Sequence, residues 1–142
     1  MTVLDAYAVL AYLRDEASAD PVGELLRAPT TLSAVNATEV IDQLVRVYGR
    51  DADHVHADLV MLSHTGMQFA AVTAEVGILA GRLRARHYHR ERMAVSLADC
   101  VAAATALSTE SPLATADPHL AKLIRAEGGK VHALPDTRGR LP

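Results

Sequence analysis

The sequence predicts an α/β fold with a mostly parallel central sheet of about four to five strands and helices on both faces. Short apolar, β-branched runs alternate with longer helix-forming runs along the whole chain. Strands separated by helices need crossover connections, and such connections make neighbouring strands parallel. The chain has 142 residues, of which 50% are hydrophobic, so it is long enough to bury one sizeable core. We therefore expect a single domain spanning residues 1–142.

The first half of the chain is predicted to alternate strands and helices from its first residues. Residues 2–4 (TVL) are short and β-branched, whereas residues 6–13 are rich in helix formers, so a strand should give way to a helix near Asp5. The next predicted elements are a short helix at 21–28, a strand at 29–33, a helix capped by Ser33 or Asn36 that stops at Gly49, a helix at about 51–63 and a third strand at 67–73.

The second half continues the alternation. Thr73 is a predicted N-cap for a helix that reaches about residue 86, and a basic bend then leads to an almost wholly apolar helix at 96–108. The remaining predicted elements are a fourth strand at 111–117, a last helix in PHLAKLIRAEGG with a double-glycine stop, and a fifth strand in KVHALP.

Composition excludes several classes of protein. Lys and Arg number 14 against 17 Asp and Glu, so global positive charge does not attract nucleic acid, and any polyanionic partner must be held locally. The single cysteine, Cys100, excludes an intrachain disulfide and a multi-cysteine zinc site, as suits a reducing cytoplasm. The first apolar run has no basic region before it and is interrupted by Asp5, and no uncharged run is long enough to span a bilayer. We expect a cytoplasmic protein without a membrane partner.

Two acids are predicted at the same edge of the sheet. Asp5 follows the first strand and Asp117 ends the fourth, and in open parallel sheets ligands bind in the crevice at the carboxyl ends of the strands. Asp5 also stands where it would cap the following helix, and as a lone residue it is read more readily as a cap than as a ligand.

Two further acids lie in the first turns of predicted helices. Asp99 lies in a helix that should be buried, where an ionised carboxylate needs a hydrogen bond, a cation or a metal, although Ser96-x-x-Asp99 also resembles a capping box. Glu39 follows the second strand in the same way. Alternatively, Glu39 is an exposed residue or a partner of the helix dipole. The residues alone do not favour Glu39 strongly over Asp42 as the site acid of this helix.

Four segments in series carry a family resemblance: VLDAYAVLAYL, SAVNATEV, SLADCVAAATA and LATADPHL. In this order and at these separations, the chain resembles the PIN-domain nucleases and, among them, the VapC-type toxins of type II toxin–antitoxin pairs. The resemblance covers essentially the whole chain. It implies an endoribonuclease toxin that depends on Mg²⁺ or Mn²⁺, is neutralised by a cognate antitoxin and forms a homodimer.

The resemblance also implies roles for particular residues. It makes Asp5, Glu39, Asp99 and Asp117 the acidic cluster that binds one or two metal ions, with the Thr115 hydroxyl in support. Tyr7 departs from the Asp-x-Ser pattern of many members, which leaves no hydroxyl ligand from that loop. Physical chemistry agrees with this assignment, because four convergent carboxylates repel one another and oxygen ligands are those that Mg²⁺ and Mn²⁺ prefer.

A basic run, RLRARHYHR at 82–90, leads from a helix end towards the Asp99 helix. We predict that it contacts RNA phosphates through Arg82, Arg84, Arg86 and Arg90. The alternatives are a solvated helix face with cations near its carboxyl terminus, or a surface that meets the antitoxin.

Two other functions remain open for such a chain. It could be a PIN ribonuclease that serves RNA processing without being a toxin, or a non-catalytic module of the same fold that binds RNA or protein. An inactive module would be expected to have lost an acid, and all four are present.

Overall fold

The computed structural model describes residues 1–142. Its centre is one parallel sheet of five strands in the order β3-β2-β1-β4-β5. The strands are β1 (Thr2–Leu4), β2 (Thr30–Ser33), β3 (Met67–Ala70), β4 (Leu113–Thr115) and β5 (Val131–Ala133). The predicted α/β fold with a parallel sheet is confirmed.

Helices connect every pair of successive strands. They are α1 (Ala6–Leu13), α2 (Ala19–Leu25), α3 (Ala34–Asp42), α4 (Ala52–His64), α5 (Ala74–His87), α6 (Leu97–Ser108) and α7 (Pro118–Ala126). A π-helical segment, Gln43–Val47, continues α3. No helix combines the length and the apolar character that crossing a bilayer would need.

The core has two parts, one on each face of the sheet. Val3 and Leu4 are successive residues of β1 and point to opposite faces, and both are fully buried. Leu4 packs in the cluster formed with α1 to α4, whereas Val3 packs in the cluster formed with α5 to α7. Cys100 is fully buried in the second cluster. Helices therefore cover both faces and leave the strand ends as the accessible edge.

Several predicted boundaries differ from the observed ones. The third strand stops at Ala70 instead of 73, because β3 pairs only with β2 and the last pair is Ser33 with Ala70. The predicted helix ending at Gly49 is not uniform, since its last turns are π-helical around the fully buried Leu44. The second helix begins at Ala19, ahead of the predicted start at Pro21.

Candidate active site

The candidate site lies where the order of the strands reverses. From β1 the chain proceeds outward through β2 and β3, and it then returns to place β4 on the other side of β1. The crevice at such a reversal is the usual ligand site of an open parallel sheet. Asp5 directly follows β1, and its backbone N–H donates to the carbonyl of Ala114 in β4 at 3.3 Å. The residues that directly follow β1 and β4 therefore lie at the same place on the sheet edge.

Asp5 is a buried N-cap in this crevice. Its side chain is 3% exposed and accepts a hydrogen bond from the backbone N–H of Ala8 at 2.8 Å, so the capping interpretation is confirmed. Burial raises the pKa of the Asp5 carboxyl to about 7, and the nearby Asp99 and Asp117 carboxylates add to the increase. A helix N-cap does not have to be buried this deeply. Burial without a nearby cation is what raises the pKa of the Asp5 carboxyl.

Thr115 links the acids that follow β1 and β4. Its hydroxyl accepts the backbone N–H of Asp117 at 3.0 Å and also lies against the Asp5 carboxylate, where its hydrogen bond lowers the pKa of Asp5. Asp117 is the N-cap of α7 and accepts from the N–H of His119 at 2.7 Å and of Leu120 at 3.2 Å. Thr115 therefore fixes the relative positions of the two carboxylates.

Asp99 closes a capping box at the start of α6. The Ser96 hydroxyl accepts the Asp99 N–H at 3.0 Å, and the Asp99 carboxylate accepts the Ser96 N–H at 2.7 Å. The capping box expected from the sequence is thus present. The charge of Asp99 also helps to raise the pKa of Asp5 and of Glu39.

Glu39 has a buried carboxylate oxygen without a partner. Its Oε2 atom is buried and makes no hydrogen bond. Burial and then the charge of Asp99 raise the pKa of Glu39. Asp42, the alternative acid, instead forms a two-pronged ion pair with Arg46 at 2.8 Å for each contact and is exposed. The geometry therefore favours Glu39 over Asp42 as the site residue on α3.

A cleft of about 500 Å³ opens beside Glu39, between α3 and the amino end of α6. Its walls include Val35, Ser96 and Leu97. A substrate could reach the acids from this side.

Asn36 is a site residue that the sequence suggested only as a cap. It is fully buried, and its amide donates to the carbonyl of Ala98 in α6 at 3.2 Å. The same side chain contacts Glu39 and lowers its pKa, opposing the larger effect of burial. The Ser33 hydroxyl donates to the Asn36 side-chain oxygen at 2.5 Å. Asn36 thereby joins the end of β2, the start of α6 and Glu39; the signal in the sequence is an asparagine three residues before that glutamate.

The four acids share one edge, but they do not form a closed set of metal ligands. No group of three Asp, Glu, His or Cys side chains is arranged to hold a metal ion. Asp5, Asp99 and Asp117 instead direct carboxylate oxygens to backbone N–H groups at helix starts, so the assignment of the four acids to one metal site stays a prediction. The donors are nevertheless all oxygens, and the orphaned Glu39 oxygen together with the raised pKa of Asp5 fits a hard divalent cation.

The four predicted RNA-contacting arginines divide into two pairs. Arg84 donates from Nε to the carbonyl of Val95 at 3.2 Å and lies over the ring of Tyr88, and Arg86 pairs with Glu127 at 2.8 Å. These two side chains are therefore engaged within the fold. Arg82 and Arg90 are exposed and make no ion pair.

A family model described as the PIN domain matches residues 2–125. The chain belongs to the PIN-domain family. No curated protein matches the sequence.

Solved structures of other PIN-domain proteins share the fold at low identity. VapC20 from Mycobacterium tuberculosis, described as a toxin that cleaves the sarcin–ricin loop, superposes with a TM-score of 0.69 at 18% identity, covering 95% of this chain and 100% of that one. VapBC2 from Rickettsia felis, bound to a promoter DNA fragment, gives 0.67 at 16% identity over 92% and 96%. FitAcB from Neisseria gonorrhoeae gives 0.66 at 20% identity over 92% and 96%. The predicted resemblance to VapC-type PIN domains is confirmed at the level of the fold.

Proposed function

We propose that this PIN domain is a cytoplasmic endoribonuclease toxin that depends on Mg²⁺ or Mn²⁺ and is neutralised by a cognate protein antitoxin. One observation carries the nuclease proposal: four acids lie at the carboxyl edge of the sheet, with the Glu39 oxygen unpartnered and the Asp5 carboxyl desolvated. Such a site can accept a cation and, through it, a phosphate.

The residues of the chain have distinct tasks in this proposal. Asp5, Glu39, Asp99 and Asp117 would hold the ion, and Thr115 and Asn36 keep their carboxylates in place. A bound Mg²⁺ or Mn²⁺ supplies activation of water and neutralisation of charge on the phosphodiester. The capped helices α1 and α7 fix the backbone on either side of the crevice.

The antitoxin proposal is supported by the structural relatives. Several of them are toxin–antitoxin complexes, including one from Klebsiella pneumoniae, which superposes with a TM-score of 0.64 at 15% identity over 87% of this chain and 90% of that one. We infer that this chain likewise has a protein inhibitor. If the inference is correct, co-expression with the cognate antitoxin should relieve growth arrest caused by this chain.

We also infer a homodimer. Ile78 in α5 and Leu97 at the start of α6 are 60% and 63% exposed, and Leu97 lines a small cleft together with Gly81, one turn after Ile78. Exposed aliphatic side chains on adjoining helices are typical of a protein interface. Light scattering should give twice the chain mass of 15.1 kDa, and Ile78→Asp should reduce it to that of the monomer.

The nuclease proposal is tested by cleavage of a mixed pool of structured RNAs. The purified protein is incubated with Mg²⁺, with Mn²⁺ and with a chelator, beside Asp5→Asn and Asp99→Asn. Asparagine retains a side-chain oxygen for helix capping, so the two variants should remain folded. We expect metal-dependent cleavage in the wild type and a loss of at least a hundredfold in each variant.

Asp20→Asn is the matched control, because Asp20 is an exposed acid in the first turn of α2 and is not among the charges that raise the pKa of Asp5 or Glu39. Its cleavage rate should equal that of the wild type. Absence of cleavage by the wild type with either metal, in a folded protein, would favour a non-catalytic binding module. Cleavage without growth arrest in cells would favour an RNA-processing enzyme.

A further inference from the structure

A concave basic surface lies beside α7, and none of the four acids lines it. It encloses about 310 Å³ between the end of α5, the segment that follows it and the side of α7. Its walls are formed by Arg86, His87, Tyr88, His89, Arg92 and Lys122, above the buried Met93. We call these residues the basic pocket. None of its lining residues is acidic.

Two cations of the basic pocket have no acidic partner. Glu127 pairs with Arg86 and with His87, so it offsets charge at one end of the pocket. Arg92 and Lys122 are exposed and form no ion pair. Two like charges close together repel each other. An anion bound between them relieves this repulsion, so the pair favours an anionic ligand.

The segment that carries Arg92 is held in a defined shape. The backbones of His89 and Met93 exchange two hydrogen bonds, of 3.0 and 2.9 Å. The His89 ring accepts the N–H groups of Glu91 and Arg92, both at 3.2 Å. A segment with these bonds presents Arg92 without a large loss of entropy on binding.

Tyr88 adds an aromatic face to the basic pocket. The side chain is 46% exposed, and the Arg84 guanidinium covers one face of its ring at 4.3 Å from the centroid. Arg84 is itself fixed by its bond to Val95. Basic grooves with oriented aromatic rings are how proteins bind single-stranded nucleic acid, since phosphates meet the cations and bases stack on the rings.

The basic pocket is connected to the candidate active site through α7. The N–H of Ala94 donates to the ring Nδ1 of His119 at 3.0 Å, and the backbone N–H of His119 is capped by Asp117. Lys122 lies five residues after Asp117 on the same helix, a rise of about 7.5 Å along the axis.

We propose that the basic pocket binds the backbone phosphate of a single-stranded RNA segment adjacent to the cleaved bond, through Arg92 and Lys122, with a base stacked on Tyr88. This inference rests on the proposed nuclease function and specifies its substrate as unpaired RNA. It replaces Arg84 and Arg86, which are engaged within the fold, as the main contacts to RNA.

The test measures RNA binding as a function of salt. The Asp5→Asn protein in Mg²⁺ is titrated into a fluorescent oligouridylate, and log K is plotted against log salt for it and for Asp5→Asn with Arg92→Gln and Lys122→Gln. Each lost phosphate contact of a single strand reduces the slope by about 0.7, so the combined change should be about 1.4. Tyr88→Leu should weaken binding roughly five- to a hundredfold without changing the slope, and Tyr88→Phe should restore it.

The control carries Arg27→Gln and Lys130→Gln, which remove the same charge from exposed positions outside the pocket. Equal slopes for the pocket and control variants would overturn the proposal, as would a pocket variant that loses only antitoxin binding. RNA cleavage by the wild type in the same preparation keeps these outcomes separate from the proposed function: cleavage with unchanged slopes rejects the basic pocket alone. If the protein neither cleaves nor binds RNA, both the nuclease proposal and the basic-pocket proposal are rejected.

Discussion

At the scale of single residues, the site acids also stabilise the fold. Asp5 and Asp117 are the N-caps of α1 and α7, and Asp99 completes the capping box of α6. Capping fixes each carboxylate by hydrogen bonds from backbone N–H groups at a helix terminus. Glu39 is the exception, because its position depends on Asn36 and its buried oxygen has no partner.

Asp5→Asn should stabilise the metal-free protein at alkaline pH. The folded pKa of Asp5 is raised to about 7, mainly by burial, so the ionised form is disfavoured in the folded state. Stability is therefore fully present below the unfolded pKa and is lost as pH rises through about 7. Asparagine keeps the cap without the charge, and we expect a gain of about 4 kcal/mol at pH ~8 that shrinks to almost nothing near pH ~4.

Urea unfolding in a chelator at both pH values measures this gain. Asp20→Asn again serves as the control, with no gain at either pH. Equal stability of Asp5→Asn and wild type at the higher pH would contradict the desolvated carboxylate.

Asn36→Ala should weaken metal binding more than a structural defect alone predicts. The change removes the donor to the buried carbonyl of Ala98, at a cost of about 1–3 kcal/mol, and it frees Glu39. Loss of a group that orients a ligand reduces metal affinity by roughly 10–100-fold. Calorimetric titration with Mn²⁺ and urea unfolding give the two quantities.

Thr38→Ala is the matched change on the same helix, because the Thr38 hydroxyl bonds only to the Ala34 carbonyl one turn earlier. It should leave Mn²⁺ affinity unchanged. A drop of the same size in both variants would make Asn36 a purely structural residue.

The sequence predicted the places of the four acids in the fold better than it predicted the contacts around them. Asp5 and Asp117 could be placed because each follows an apolar strand, and Ser96-x-x-Asp99 is a local pattern. The contact of Asn36 with Ala98 and the pair of Arg86 with Glu127 join segments far apart in the chain. Such contacts depend on the packing of α3, α5, α6 and α7, which local periodicity does not encode.

At the scale of elements, the sequence predicts most helices and strands correctly, but it does not predict where the strands end. Capping residues set the starts correctly at Thr73, Ser96 and Asp117. The fourth strand was predicted over 111–117 but comprises only Leu113–Thr115, because Asp117 already caps α7. Strand length is decided by the neighbouring strand, and that partner cannot be identified from one segment.

The contact between the ends of α5 and α7 predicts a pH-dependent change in stability. The hydrogen bond from His87 and then those from Arg86 hold the pKa of Glu127 below its usual range. A lowered pKa gives stability that is present above the unfolded pKa and is lost as pH falls through the folded value. Glu127→Gln should therefore cost about 1 kcal/mol at neutral pH and nothing in strong acid.

Chemical denaturation at about pH 7 and about pH 3 compares Glu127→Gln with wild type. Glu91→Gln is a suitable control, because Glu91 is exposed and makes no ion pair. A loss of stability that stays constant over this range would assign the effect to packing instead of charge.

At the scale of the whole molecule, the candidate site joins both halves of the core. Asp5 follows β1, whose residues enter both hydrophobic clusters, whereas Glu39 belongs to the helices on one face and Asp99 to those on the other. A ligand held by these acids would therefore connect the two helical layers through the sheet edge.

Divalent metal should therefore stabilise the entire fold. Binding to the folded state alone adds about 2.7 kcal/mol at a hundred times the dissociation constant, and a chain of this size should melt several degrees higher. Thermal unfolding with Mn²⁺, with Mg²⁺ and with a chelator measures the increase. Asp99→Asn should abolish most of it, while Asp20→Asn should preserve it; an unchanged melting temperature in the wild type would count against a metal site.

The central place of β1 has a consequence for synthesis of the chain. β1 emerges first from the ribosome, but β4, which completes its second edge, is made only after most of the chain. Domains whose strands pair across a long stretch of sequence fold slowly, because the entropy of loop closure is lost before the stabilising contacts form. A nascent or prematurely terminated chain that lacks Asp117 thus has no complete acidic site, so the nuclease activity that we propose would be confined to chains synthesised beyond that residue.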